Sequence, residues 1–381
     1  MASRGAIRGM TRLPESGPWP TEDPFLFAVH HDDSFPPGDP STLGPADRSS
    51  LRGRNMGADF GGKDGWSMYH GEVVPGFPKH PHRGFETVTI ARSGLVDHSD
   101  SLGAAGWVKA AAILHMPVPT LPPTFYSPHP TPPHLNPDRR FGQGDVQWMT
   151  AGKGISHSEM FPLLKTDGRN RVEMFQIWLN LPARNKMADP FFTMLWSDTI
   201  PKLTSVPGVE VAVISGSLPG CNPPLPPPCP PNSWAAQEGS AVSIYNIKVG
   251  PGASWTLPAA AQAGLTRCLY FFVGEAVVVG GKQVAQYCKI DLDAAQAVDI
   301  ATPSSASKEA ELLMLEAKAI NEPVVQHGPF VMNSREQIMQ AFQDYQATEF
   351  GRWPHRSNDP VHDPGRGRFA HYPDGRDEYP N

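Results

Sequence analysis

Forty-three prolines distributed through 381 residues, together with thirty-six glycines, rule out an architecture of long helices. Proline removes a backbone donor and fixes φ, so it breaks helix interiors and is confined to strand ends, edges and turns. What remains is a chain of short extended segments between turns, the pattern of an all-β protein. A chain this long buries a substantial core without staples, and its length accommodates one to three domains, with two as the middle estimate.

Charge narrows the functional classes. The formal net charge is −6, and the densest basic run is the pair Arg139–Arg140. Broad phosphate binding needs clustered Lys and Arg, so direct nucleic-acid binding is disfavoured. The four cysteines, Cys221, Cys229, Cys268 and Cys288, contain no CxxC spacing and make no disulfide framework. Cys268 and Cys288 lie in apolar surroundings and read as inert buried thiols, which suits a reducing compartment. No stretch approaches the roughly 18 apolar residues of a membrane span. The first residues carry Arg4, Arg8 and Arg12 with no acid before Glu15. They read as a frayed tail or as a short transit peptide.

Along the chain, residues 1–65 form a Pro-, Gly- and Asp-rich extension packing on a barrel, with one apolar run from Phe25 to His30. β-like runs then follow at Trp66–Val74, Glu86–Ala91, Val146–Thr150 and Val172–Leu181. A second set runs through Val209–Ser215, Ala241–Val249, Leu269–Val273, Ala276–Val279 and Leu312–Ala317. Gly274–Glu275 suggests a hairpin turn between two of these, and Gly280–Gly281 another turn. Two such sets predict two tandem barrels, residues 66–185 and 186–320, followed by a helix and an irregular tail over 321–381. The helix is expected over Arg335–Thr348, capped by Ser334 with Gln337 three residues on, and with Ile338, Phe342 and Tyr345 on one face. Pro117–Pro137 holds nine prolines in 21 residues, and Leu218–Pro231 is also proline-dense. Neither can form sheet interior.

Chemistry concentrates in two segments. In Gly76-Phe-Pro-Lys-His80-Pro-His82-Arg-Gly-Phe-Glu86, residues two apart on a strand share a face, so His80 and His82 present two imidazoles side by side. Glu86 has the same parity and would share that face on an unbroken strand. The second segment, Gly144-Asp-Val-Gln-Trp-Met-Thr-Ala-Gly152-Lys-Gly154-Ile-Ser-His157-Ser-Glu159, turns at its glycines and then offers His157 and Glu159 two apart. A lone HxH among 14 histidines is weak evidence. Two such pairs on neighbouring strands supply three neutral nitrogens and a carboxylate, which suits a borderline divalent metal. His98, in Asp97-His98-Ser99-Asp100, is polar on both sides and reads as a solvated loop residue. His30 and His31 read as structural, and His115, His129 and His134 fall in the proline-rich stretch.

The text HPHRGFETVT followed by GDVQWMTAGKGISHSEM resembles the pirin family of the cupin superfamily. WSMYHGEVVPG, FQIWLNL, LYFF and the region from Gln326 through the capped helix are similar too, so the resemblance spans roughly residues 18–375. It implies a bicupin of two jelly-roll barrels in which only the first holds one non-haem iron ion, Fe(II) or Fe(III), with other divalent transition metals as substitutes. The ligands carried over by motif position are His80, His82, His157 and Glu159, with Glu86 in an outer supporting position. The resemblance also implies a quercetin 2,3-dioxygenase-type oxygenase acting on a flavonol-like substrate and dioxygen, with Glu159 as catalytic base. Phe85, Trp148 and Met149 are candidate apolar neighbours. A redox-sensitive transcription co-regulator acting through protein contacts is the alternative, and the expected location is the cytoplasm with nuclear access. Trp107–Arg139 departs from the family text and reads as an inserted segment or a gene-model error.

Overall fold

The computed structural model describes residues 5–15, 17–56, 59–109 and 144–380. In chain order its first half contains β1 (Ile7–Arg12), β2 (Phe25–Phe35), β3 (Gly76–His82), β4 (Phe85–Ser93), β5 (Leu95–Asp100), β6 (Ala105–Lys109), β7 (Val146–Thr150), β8 (Ile155–Met160), β9 (Asn170–Asn180) and β10 (Phe191–Leu195). The second half contains β11 (Lys202–Leu203), β12 (Val209–Ser215), β13 (Ser243–Val249), β14 (Ser254–Leu257), β15 (Thr266–Val273), β16 (Ala276–Val279), β17 (Lys282–Ala285), β18 (Cys288–Leu292), β19 (Val298–Ala301) and β20 (Ala310–Ala317). It closes with β21 (Val325–His327), β22 (Phe330–Met332), α1 (Arg335–Thr348), β23 (Phe369–His371) and β24 (Asp377–Glu378).

These strands make two barrels, as expected of an all-β bicupin. The first joins a five-stranded sheet, β10-β7-β4-β9-β2, to a six-stranded sheet, β24-β23-β6-β5-β8-β3. The second joins a seven-stranded sheet, β1-β18-β15-β20-β13-β12-β11, to a four-stranded sheet, β14-β19-β16-β17. The outer faces of the five- and seven-stranded sheets pack together through one apolar cluster. Val88, Trp148, Phe175 and Ile177 come from one side, and Ile244, Tyr270, Phe272 and Leu313 from the other. Trp19 stacks on Tyr270 with centroids 5.9 Å apart and planes 8° from parallel, sealing the rim of that interface.

Some boundaries differ from the sequence expectation. Phe25–Phe35 is a full strand of the first barrel, pairing with β9, and Phe191–Leu195 belongs to the first barrel because it pairs with β7. Ile7–Arg12 pairs with β18 of the second barrel. Trp66–Val74 forms no strand: Met68 adopts φ 59°, and Tyr69 makes only an isolated bridge to Gly76. β15 and β16 do not form a hairpin. At Gly274, φ 117°, the chain leaves one sheet for the other, and the real hairpin joins β16 to β17 across Gly280–Gly281. Trp107, at the head of the suspected insertion, is a barrel residue. It lies buried in β6 opposite Asp97 and Phe369. The rest of that segment from Ala110, with His115, His129 and His134, lies outside the described residues.

The helix forms where its cap predicts. The Ser334 hydroxyl accepts from the Gln337 amide, Ile338 and Ala341 are buried, and Phe342 and Tyr345 pack on Phe330. Glu349 in the left-handed region ends it. Among the described residues no helix is long and apolar enough to cross a membrane.

Candidate metal centre

The two barrels differ most in what fills them. The second is packed with Val211, Ile247, Leu269, Phe271, Leu312 and Met314. In the first, the inward faces of β4, β7 and β9 carry Thr89, Gln147 and Gln176, which share a rung. A polar interior is stable only if its groups find partners.

Three imidazoles converge there. β3 and β8 run antiparallel with His80 directly opposite His157, and a register shift between Phe77 and His80 re-aims the strand as a bulge does. Ring centroids lie 4.3 Å apart for His80–His157, and 4.8 Å for both His80–His82 and His82–His157. One ligand atom from each of the three lies within 4.8 Å of the others, and the same holds for His98, His157 and Glu159. Asp100 and His98 of β5 stand opposite His157 and Glu159.

The electrostatics suit a cation. Burial pushes His80 down to about 4 and holds His82 and His157 well below the usual imidazole range, with neighbouring imidazoles adding to the effect. The rings are therefore neutral at neutral pH, as metal ligation requires. The Pro78 carbonyl lies 2.8 Å from His80 Nδ1, so the ring donates there and keeps Nε2 as its free lone pair. His82 Nδ1 and both nitrogens of His157 are buried without a hydrogen-bond partner. An unpaired buried polar atom costs about 1–3 kcal/mol. A neutral imidazole has one lone pair, and that part of the cost is removed when it points at an ion, so these residues fit a divalent metal.

Glu159 completes the set. Its Oε2 accepts from Gln176 Nε2 at 2.8 Å and its Oε1 from Thr89 Oγ1 at 3.3 Å. Trp178 Nε1 in turn donates to Gln176 Oε1 at 3.2 Å, so the carboxylate is held by a short relay. Burial raises its proton affinity. Phe85 stacks on Trp178 at 3.9 Å, and its ring lies 5.0 Å from His82, giving the site an apolar wall. Met149 packs with Ala151 and Ile155, whereas Trp148 faces the second barrel.

Two glycines and a lysine fix the corners. Gly84, φ 85°, turns the chain between β3 and β4, and a Cβ there would lie 2.0 Å from the Val331 carbonyl oxygen. Lys186 Nζ donates to the carbonyls of Gly84 and Val331 and to Asn180 Oδ1, and burial lowers it to about 7. Gly154, φ 135°, leads into β8, and a Cβ there would meet the Phe350 ring at 2.5 Å.

Two sequence expectations fail here. Glu86 does not support the imidazoles. The turn at Gly84 places β3 and β4 in different sheets, which breaks the shared parity. Glu86 lies on the face of β4 that meets the second barrel, where its oxygens accept from Thr150 Oγ1 at 2.6 Å and Ser233 Oγ at 2.5 Å. Burial raises its carboxyl to about 7. Unfolded, it ionises near 4.5; folded, near 7. Stability is therefore fully present below 4.5 and lost as pH rises through 7. A Glu86→Gln variant escapes that loss, so urea unfolding should show its advantage growing between pH 4.5 and 7 to roughly 3 kcal/mol at most, at 1.36 kcal/mol per unit. Its metal content should match wild type; a flat difference, or lost metal, sinks this assignment.

The second failure is His98. It is fully buried in β5, 5.3 Å from His157, stacked on Phe192 at 5.0 Å and bonded to Gln147. Its polar neighbours read as a loop because the barrel face they line is itself polar. The alternation Val96, His98, Asp100 was the available signal. Glu22, Cys268 and Asp291 also converge, but the Lys289 ammonium already lies 2.6 Å from Glu22 and 2.9 Å from Asp291.

Two jelly-roll barrels, one apolar and one lined by imidazoles and a carboxylate, define a bicupin. A family model described as pirin matches residues 53–118 and 136–179, and one described as the pirin C-terminal cupin domain matches 244–351. The chain belongs to the pirin family. A Pseudomonas aeruginosa protein with quercetin 2,3-dioxygenase in its name is 32% identical over 281 residues, covering 72% of this chain and 80% of that protein. Human pirin is 31% identical over 279 residues, covering 72% and 78%. A crystal structure of a quercetin 2,3-dioxygenase from Acinetobacter baumannii superposes with a TM-score of 0.63 at 24% identity, over 92% of this chain and 99% of that one, which supports the fold. Residues 119–135 fall between the two stretches matched by the first model.

Proposed function

We propose that this chain is a quercetin 2,3-dioxygenase-type oxygenase that holds one iron ion through His80, His82, His157 and Glu159 and acts on flavonol-like substrates. The observation that carries the reading is the set of buried, unpartnered imidazole nitrogens of His82 and His157 beside a buried carboxylate. When bound, such an ion supplies Lewis acidity toward a substrate hydroxyl and redox access to dioxygen. The name of the Pseudomonas aeruginosa relative supports the choice of reaction class.

The protein's own groups account for the remaining requirements. Glu159 is held by Gln176 and Thr89, and burial increases its affinity for a proton. That affinity supports its role as the base that accepts the proton of a flavonol 3-hydroxyl. Phe85 and Trp178 present an apolar wall beside His82 for a planar aromatic ring and exclude water there.

The test is direct. Iron content is measured on the purified protein, and the flavonol absorbance of quercetin is followed under air. Consumption of quercetin by wild type, lost in His80→Ala and in Glu159→Ala, supports the oxygenase. Full iron occupancy without turnover overturns it in favour of a partner-binding role.

A further inference from the structure

A cavity of about 650 Å³ lies between the two barrels, away from the imidazole cluster. It is lined by Ile90 and Arg92, whose face of β4 is opposite the one that carries Thr89, so the five-stranded sheet separates it from the metal centre. That volume falls within the range of small-ligand sites. Its floor is apolar: Ile90, Ile200, Ile214 and Val273, drawn from both barrels.

Several charges around it are already satisfied. Arg92 donates to Glu173 at 2.8 Å and to Glu311 at 2.5 Å, and Arg171 is paired with Asp32 at 2.7 Å. Other lining groups are not. Lys202, Lys308 and Glu309 have no ion pair among the described residues, and Asn246 Oδ1 is buried without a hydrogen-bond partner. The sheet sets Lys202 and Asn246 on one rung: Lys202 lies opposite Ala212, and Ala212 opposite Asn246. Adjacent strands lie about 4.8 Å apart, so the Cα atoms of Lys202 and Asn246 stand about 10 Å apart, with one small methyl side chain between them. The result is a notch with an ammonium on one side, an amide oxygen on the other and an isoleucine floor beneath.

We infer that this cavity binds a small amphipathic organic anion. Its acid group pairs with Lys202, a hydroxyl or N–H donates to Asn246 Oδ1, and its apolar body lies on Ile90, Ile200 and Ile214. No residue of this site belongs to the metal centre, so its occupancy is independent of the oxygenase reading.

The probe is 8-anilinonaphthalene-1-sulfonate, which carries a sulfonate, an N–H and an aromatic body. Titration of the full chain, followed by dye fluorescence, should show one saturating site. Lys202→Glu should raise Kd at least tenfold, and Ala212→Phe, which fills the notch, should abolish the site. Metal content and near-ultraviolet circular dichroism should remain those of wild type. Absence of saturation, or equal binding by wild type and Lys202→Glu, overturns the proposal. Because Lys202 is a half-buried rim residue, that variant remains decisive if Ala212→Phe fails to fold.

Discussion

Replacing His157 with alanine should leave a folded protein that no longer retains a transition metal. His157 is the centre of the cluster: it faces His80 across β3 and β8, and His98 and Glu159 lie on its other side. Both of its nitrogens are buried and unpartnered, so no hydrogen bond among the described residues accounts for their placement. Losing an outer supporting group costs about ten- to a hundredfold in metal affinity, and loss of a direct donor should exceed the upper end of that range. A thermal readout accompanies the metal assay. At about a hundred times Kd, a ligand that binds only the folded state stabilises it by about 2.7 kcal/mol, so a chelator should lower the Tm of wild type and leave that of His157→Ala unchanged. Full metal retention by the variant would remove the assigned ligand set.

An Arg92→Leu variant should be destabilised by roughly 3–5 kcal/mol, the cost typical of removing one partner from a buried ion cluster. Arg92 reaches from the first barrel to Glu311 of the second, and all three side chains of the Arg92–Glu173–Glu311 group are at least nine-tenths buried. Burial alone would raise Glu173, but the bond from His30 and the charge of Arg92 outweigh it and hold the carboxyl at about 2. That depressed value means stability is present above 4.5 and is lost as pH falls toward 2. Urea unfolding should show the deficit, and adding Glu311→Gln should recover part of it, because much of the cost is a stranded charge. A single-variant loss below about 1 kcal/mol would show the cluster to be well solvated.

The fold class and the heart of the site were legible because strand parity and neighbouring pairs obey simple geometry. His80 and His82, and His157 and Glu159, could be placed on common faces from spacing alone. Errors arose where a turn intervened between residues of equal parity. Gly84 separates His82 from Glu86, and Gly274 separates two runs that looked like one hairpin. His98 was missed for a different reason. Burial is ordinarily read from apolar alternation, and a barrel whose lining is Thr, Gln, His and Glu gives no such signal. The membership of β1 and β10 was hidden because pairing between strands distant in sequence leaves no local trace.

The strand near the start of the chain completes the second barrel, and the strands near its end complete the first. Arg368, just before β23, is bonded to the buried Asp145 beside β7 at 2.6 Å. During synthesis the imidazole-bearing half therefore emerges early but cannot close its six-stranded sheet until residue 378 has left the ribosome. Neither half expressed by itself would contain all its strands, and premature termination before residue 369 would leave the sheet with an open edge at β6.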